Sequence, residues 1–165
     1  MGQYKEIKGD LIKLALNGEF DVIAHGCNCF CTMGAGIAPQ MAKNFGCDQF
    51  VLEQKQHRGS INKLGNIDYE TVEIDCQPYF LNVVNAYTQY MYGKNHIDGV
   101  VTPLDYEALT LCMKKINHTF KGQHIGLPQI GCGLAGGDWE RVKQIIQKEL
   151  LDCNVTIVIY DEKGN

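Results

Sequence analysis

A histidine, an asparagine and three alternating cysteines crowd the stretch Val22 to Ala42, VIAHGCNCFCTMGAGIAPQMA. Histidine titrates near neutrality, so His25 could activate a water or hand a proton to a leaving group. Asn28, three residues on, could orient a substrate through its amide. The same histidine could instead bond to the backbone and hold a loop. Cys27, Cys29 and Cys31 continue the two-residue rhythm of His25, and an extended chain would put all four on one face. Zinc sites, however, space their ligands C-x₂₋₄-C and add a second pair. Here Cys47, Cys76, Cys112, Cys132 and Cys153 are scattered along the rest of the chain. We therefore expect small buried thiols, no metal site and no cofactor.

These residues need a scaffold, and the surrounding pattern describes one. Val22-Ile23-Ala24 ends a buried strand, and the small-residue run Gly34-Ala35-Gly36 leads into a helix with Ile37, Met41 and Phe45 at helical spacing. Strand, glycine turn and helix start make an anion-binding device, because the backbone can come close and free N–H groups meet the ligand. A second unit follows the short strand His124 to Leu127: Gly131-Cys132-Gly133-Leu134-Ala135-Gly136-Gly137, with Asp138 as a natural N-cap. Two such loops in one α/β sheet could hold a diphosphate from two sides, beyond the carboxyl ends of the strands. Neither carries GxGxxG or GK[ST], which disfavours a P-loop triphosphatase. Cys132, between two glycines, has no partner base in the sequence that would make it a nucleophile.

The remaining chain alternates strands and helices. We expect strands at Lys5 to Asp10, Phe20 to Ala24, Ile67 to Ile74, Tyr79 to Ala86 and Val155 to Tyr160. Helical pattern runs over Leu11 to Leu16, Ile37 to about His57 (interrupted near Gly46), Leu104 to Phe120 and Asp138 to Leu151. Tyr87 to Pro103 should be a long surface loop. The 165 residues suit one α/β domain spanning 1–165, with a mixed, mostly parallel sheet. The net charge of −4 speaks against general nucleic-acid binding. No apolar run is long enough for a membrane span and no signal peptide opens the chain, so reduced cysteines and a cytoplasmic location are expected.

At these residues the chain resembles the macrodomain family, whose members bind ADP-ribose on a three-layer α/β/α fold. Gly9-Asp10-Leu11 is similar to the family's N-terminal element, whose acid receives the adenine amino group; a helix cap is the alternative for Asp10. Asn28 resembles the loop asparagine that contacts the distal ribose. Gly34-Ala35-Gly36-Ile37, with Met33 before it, resembles the first phosphate loop. Gly131, Cys132, Gly133, Leu134, Ala135 and Gly136 resemble the second, and Tyr160 sits where a residue borders the adenine.

HGCNC, MGAGIA, NAYTQ and LPQIGCGLAGGDW are most similar to a branch that contains phosphatases of ADP-ribose 1″-phosphate and enzymes that remove ADP-ribose from macromolecules. The resemblance implies ADP-ribose or its 1″-phosphate as ligand, ADP-ribosylated macromolecules as further partners, and His25 with Asn28 as the catalytic pair. De-ADP-ribosylating members carry a lysine where this chain has Gln89, and an acid where it has Ala135. Another class uses an aspartate where Ala38 stands. These departures count against an ADP-ribosyl hydrolase and leave a non-catalytic ADP-ribose reader as an alternative.

Overall fold

Val22 and Ala24 pack into one hydrophobic cluster and Ile23, between them, into another. That alternation is the pleat of a strand buried on both faces. The strand is β2 (Val22–Asn28), central in a six-stranded sheet of order β1-β6-β5-β2-β4-β3. The others are β1 (Tyr4–Gly9), β3 (Ile67–Ile74), β4 (Tyr79–Gln89), β5 (His124–Leu127) and β6 (Asn154–Tyr160). All neighbours are parallel except β3 with β4. The computed structural model describes residues 2–50, 59–74, 79–91, 103–133 and 135–161.

Among the described residues, four α-helices cover the sheet. α1 (Leu11–Leu16) and α2 (Ala38–Phe45) bury Leu11, Ile12, Met41 and Phe45 on the face of Ile23 and Val83. α3 (Tyr106–Thr119) and α4 (Trp139–Glu149) bury Leu109, Met113, Ile116, Val142 and Ile146 on the face of Val22, Val84 and Ile157. The layers are therefore α/β/α, as expected. No described helix is long and apolar enough to cross a membrane.

Element ends differ from the sequence pattern in three informative places. β2 extends to Asn28 because parallel pairing with β4 continues past Ala24, so His25 lies within the strand and not in a loop. β4 likewise extends to Gln89, three residues into the expected surface loop, and Tyr87 and Thr88 are fully buried there. The helix expected from Ile37 ends at Phe45, where Gly46 takes φ 67° and a 3₁₀ turn, Cys47–Gln49, follows. Left-handed glycine at that position is a common helix stop. Residues 51–58 of that expectation, and 92–102 of the loop, lie outside the described residues.

Candidate functional site

Because five strands run parallel, the carboxyl ends of β1, β2, β4, β5 and β6 open on the same edge of the sheet. A cleft of about 1120 Å³ lies along it. Its wall takes Asp10 after β1, Cys27 and Asn28 from β2, Gln89 from β4, Pro128 after β5 and Tyr160 at the end of β6. Open α/β sheets place ligands at this edge, where helix starts and loops converge.

At one end stands Asp10. Its Oδ1 accepts from the backbone N–H of Ile12 (3.0 Å) and Lys13 (3.1 Å), so it caps α1. The helix cap expected as the alternative for Asp10 is thus present, with both bonds on one carboxylate oxygen. Leu11 is buried beside it, while Tyr160 is 69% exposed on the rim. An exposed ring at a cleft mouth can be covered by a flat ligand.

The first glycine loop is folded around Asn28. Its Oδ1 accepts from the N–H of Phe30 (3.0 Å) and of Thr32 (3.2 Å), and its Nδ2 donates to the Thr32 carbonyl (2.8 Å). Cys31 is driven to φ 59° in this tight turn, unusual for a residue with a Cβ. Beyond it Met33, Gly34, Ala35, Gly36 and Ile37 line the cleft. Gly36 has φ 64°, and nothing lies within 4 Å of where a Cβ would stand on Gly34 or Gly36. The backbone there is bare toward the cleft. α2 then opens with Ile37 and Pro39, with no side-chain cap, leaving helix-start N–H groups for an incoming anion.

The second loop closes on itself. Gly137 N–H donates to the Gly131 carbonyl (2.8 Å) and Gly136 N–H to Gly133 (3.0 Å). Gly131 and Gly136 have φ of 75° and 73°. A Cβ on Gly137 would stand 2.6 Å from the Gly131 oxygen, so the turn needs glycine for close approach as well as for conformation. Gly131, Cys132, Gly133 and Ala135 line the cleft, whereas Leu134 lies outside the described residues. The Cys132 thiol is directed to the Ile130 carbonyl (3.5 Å), and burial pushes its pKa up to about 11. It is a thiol at neutral pH, and its nucleophilicity is correspondingly low.

His25 requires a correction. It is fully buried and does not line the cleft. Its Nε2 lies 2.7 Å from Asn85 Oδ1, while Asn85 Nδ2 donates to the Cys47 carbonyl (2.9 Å) and to Asp68 Oδ1 (3.0 Å). Those two donations identify the amide oxygen, so Nε2 must carry the proton. Burial, opposed by this hydrogen bond, pushes the imidazole down to about 4. A neutral imidazole sealed behind the strand cannot exchange protons with a ligand in the cleft, and the expected acid–base role is replaced by a structural one. Sequence spacing missed this because parallel pairing turned the side chain toward Asn85.

The thiols behave as small buried groups. Cys29 and Cys31 pack with Cys27 and Tyr87 in a separate cluster beneath the loop. Cys27 Sγ is 3.5 Å from His25 Nε2, and burial raises its pKa. Asp138 caps α4 through the N–H of Glu140 (3.1 Å) and does not line the cleft. Lys13 on α1, Gln40 and Asn44 on α2, and Gln129 after β5 do line it, although the sequence pattern did not single them out. For Gln129 the signal was its place just past a buried strand; for Lys13 no local signal existed.

Comparison with known proteins gives the site its context. No family model matches the chain. It is 33% identical over 161 residues to the uncharacterized 17.5 kDa protein in the tk-vs intergenic region of Enterobacteria phage T4, spanning 95% of each chain. It is 28% identical over 162 residues to the ADP-ribose 1″-phosphate phosphatase of Candida albicans (92% of this chain, 97% of that protein). It is 27% identical over 157 residues to the human ADP-ribose glycohydrolase OARD1 (93% and 88%). The macrodomain of Thermus aquaticus DarG superposes with a TM-score of 0.70 at 22% identity, covering 98% of this chain and 99% of that one. With its sheet order, its two glycine loops and these full-length likenesses, the chain belongs to the macrodomain family.

Proposed function

We propose that the cleft binds ADP-ribose and that the protein hydrolyses ADP-ribose 1″-phosphate to ADP-ribose and inorganic phosphate. The observation that carries this reading is that two glycine loops line one cleft, open around Gly34, Gly36 and Gly133, with Asp10 and Tyr160 following β1 and β6 at the edge of the sheet and Asn28 on the central β2. That spacing suits a base, a diphosphate and a second sugar in sequence. The relatives named as ADP-ribose 1″-phosphate phosphatase and ADP-ribose glycohydrolase support a hydrolase acting on an ADP-ribose derivative.

Between the two activities the cleft chemistry favours the phosphatase. Among the described residues, the charged side chains on its wall are Asp10 and Lys13, both at the α1 end. Gln89 and Ala135 stand where a lysine and an acid would serve a glycohydrolase. A phosphate monoester can do without such groups, because its monoanion carries the proton the leaving oxygen needs. The P–O1″ bond breaks as water attacks phosphorus, and the phosphoryl proton ends on O1″. Main-chain N–H groups stabilise the phosphoryl oxygens without a protein acid or base. Turnover should then follow the second ionisation of phosphate and decline as pH rises through about 6.

The test is to incubate the protein with ADP-ribose 1″-phosphate and, separately, with ADP-ribosylated protein, following phosphate and free ADP-ribose. Phosphate release with no loss of label from the protein supports the reading. Label loss alone assigns a glycohydrolase, and tight ADP-ribose binding without either product assigns a reader.

A further inference from the structure

We infer that Gln89 forms, with Asn28, a two-amide clamp that holds one hydroxyl at the far end of the cleft, the anomeric O1″ of the bound ligand. This rests on the reading of the cleft as an ADP-ribose site.

The sheet is interrupted to make this pair. Down the β2–β4 ladder His25 faces Asn85, Gly26 faces Ala86 and Cys27 faces Tyr87; then the register slips, and Asn28 faces Gln89. Thr88 is the extra residue of a β-bulge. Bulges re-aim the side chain that follows them, and they gather beside active sites. Without the slip, Thr88 would stand opposite Asn28. With it, Asn28 and Gln89 are neighbours about 4.8 Å apart between strands, and both line the cleft.

Room for the bulge comes from β2. Thr88 is fully buried, and a Cβ on Gly26 would come within 2.9 Å of its Oγ1 and 3.1 Å of Ile130. Among the described residues the Thr88 hydroxyl has no hydrogen-bond partner, an arrangement that costs stability. A buried polar group left unpaired to shift one neighbour into a cleft indicates that the neighbour's position matters.

The free hydrogen-bonding capacity of the pair defines what it can hold. Asn28 Oδ1 is saturated by two backbone N–H groups, and one Nδ2 hydrogen goes to the Thr32 carbonyl, so one N–H is left. Gln89 Nε2 donates to the Met91 carbonyl (2.7 Å), which fixes the amide's orientation and leaves one Nε2 hydrogen and the acceptor Oε1. The pair's one acceptor and its free amide donors match a single hydroxyl: its oxygen accepts from Asn28, its hydrogen goes to Gln89 Oε1. In the 1″-phosphate, O1″ bridges to phosphorus and has no hydrogen, so Gln89 gains its bond only as the P–O1″ bond breaks and the proton arrives. An interaction absent in the bound substrate raises kcat more than it lowers KM.

The experiment measures affinities for ADP-ribose and for ADP, which lacks the distal ribose, in the wild type, Gln89→Leu and Gln89→Glu, with melting curves for each. The expected result is a preference for ADP-ribose that falls roughly tenfold in Gln89→Leu, the size of one lost hydrogen bond. Gln89→Glu retains an acceptor oxygen and should keep the ratio, while weakening both anionic ligands together. On the 1″-phosphate, Gln89→Leu should lose kcat with KM little changed. An unchanged ratio in Gln89→Leu, or equal losses for both ligands, overturns the clamp and leaves the cleft reading standing. A wild type that binds neither ligand overturns both.

Discussion

His25 and Asn85 are register partners across the β2–β4 pair, and the imidazole Nε2 donates to the amide oxygen at 2.7 Å. Asn85 passes the connection on, donating to the Cys47 carbonyl after α2 and to Asp68 on β3. One side-chain relay thus ties β2, β4, β3 and the turn after α2 together. The His25 Nδ1 has no partner among the described residues, and Nε2 also lies against the Cys27 and Cys47 thiols at 3.5 and 3.6 Å.

This arrangement has a pH signature. An unfolded histidine titrates near 6.5, whereas His25 in the folded chain is pushed down to about 4. Between those values the unfolded state binds a proton that the folded state does not, so stability falls as pH drops from about 6.5 to about 4. Below that, the contribution levels off. The window is worth roughly 3 kcal/mol. Urea titrations at several pH values should show this slope in the wild type and a flatter one in His25→Gln, which cannot titrate. Hydrolysis by His25→Gln at pH 7 should remain near wild type in any preparation that stays folded.

Asp10 caps α1 and lines the cleft, and two variants separate a cap from a ligand contact. Asp10→Ser keeps a good N-cap, whereas Asp10→Ala removes it at a cost of about 1 kcal/mol. If the carboxylate also receives the adenine amino group, both variants should bind ADP-ribose more weakly, by about tenfold, while only Asp10→Ala melts earlier. Calorimetric titration alongside thermal denaturation makes the comparison.

The glycine loops predict opposite outcomes for neighbouring substitutions. Gly34 has open space around its missing Cβ, so Gly34→Ala should fold with unchanged stability. A methyl there still obstructs a phosphate that must touch the backbone, and ADP-ribose affinity should drop by tenfold or more. Gly137→Ala would press a Cβ to 2.6 Å from the Gly131 carbonyl oxygen and should destabilise the fold by about 1–3 kcal/mol. Denaturation midpoints and affinities measured on both proteins distinguish a ligand-contact glycine from an architectural one.

Cys132 should be chemically quiet despite its position in a phosphate loop. With its thiol raised to about 11, alkylation by iodoacetamide at pH 7 should be slower than that of free cysteine by about two orders of magnitude. Cys132→Ser should retain hydrolysis. A fast, activity-abolishing alkylation at this residue, mapped by mass spectrometry, would overturn that assignment.

Much of the architecture was legible in the linear chain because it depends on short-range pattern. The strand cores, the helix starts at Asp10 and Asp138, and the two glycine runs all follow from spacing and from what glycine and aspartate do locally. The errors fell where pairing partners distant in sequence decide the outcome. Tyr87-Thr88-Gln89 is rich in turn-compatible polar groups, yet it is strand, because β2 supplies a ladder for it. His25, Cys27, Cys29 and Cys31 share a two-residue rhythm, yet the strand ends at Asn28 and Cys31 turns left-handed, and Cys27, Cys29 and Cys31 pack around Tyr87.

The sequence by itself determined an α/β chain with two anion-receptive glycine loops at strand ends, since alternation, helical period and glycine placement are local properties of the polypeptide. Only the tertiary structure decided which polar residues line the cleft. His25 and Asn28 are three residues apart on the same strand, and the pleat and its pairing with β4 sent one to Asn85 in the interior and left the other on the cleft. The bulge at Thr88 then brought Gln89 beside it, through a register that no spacing along the chain contains.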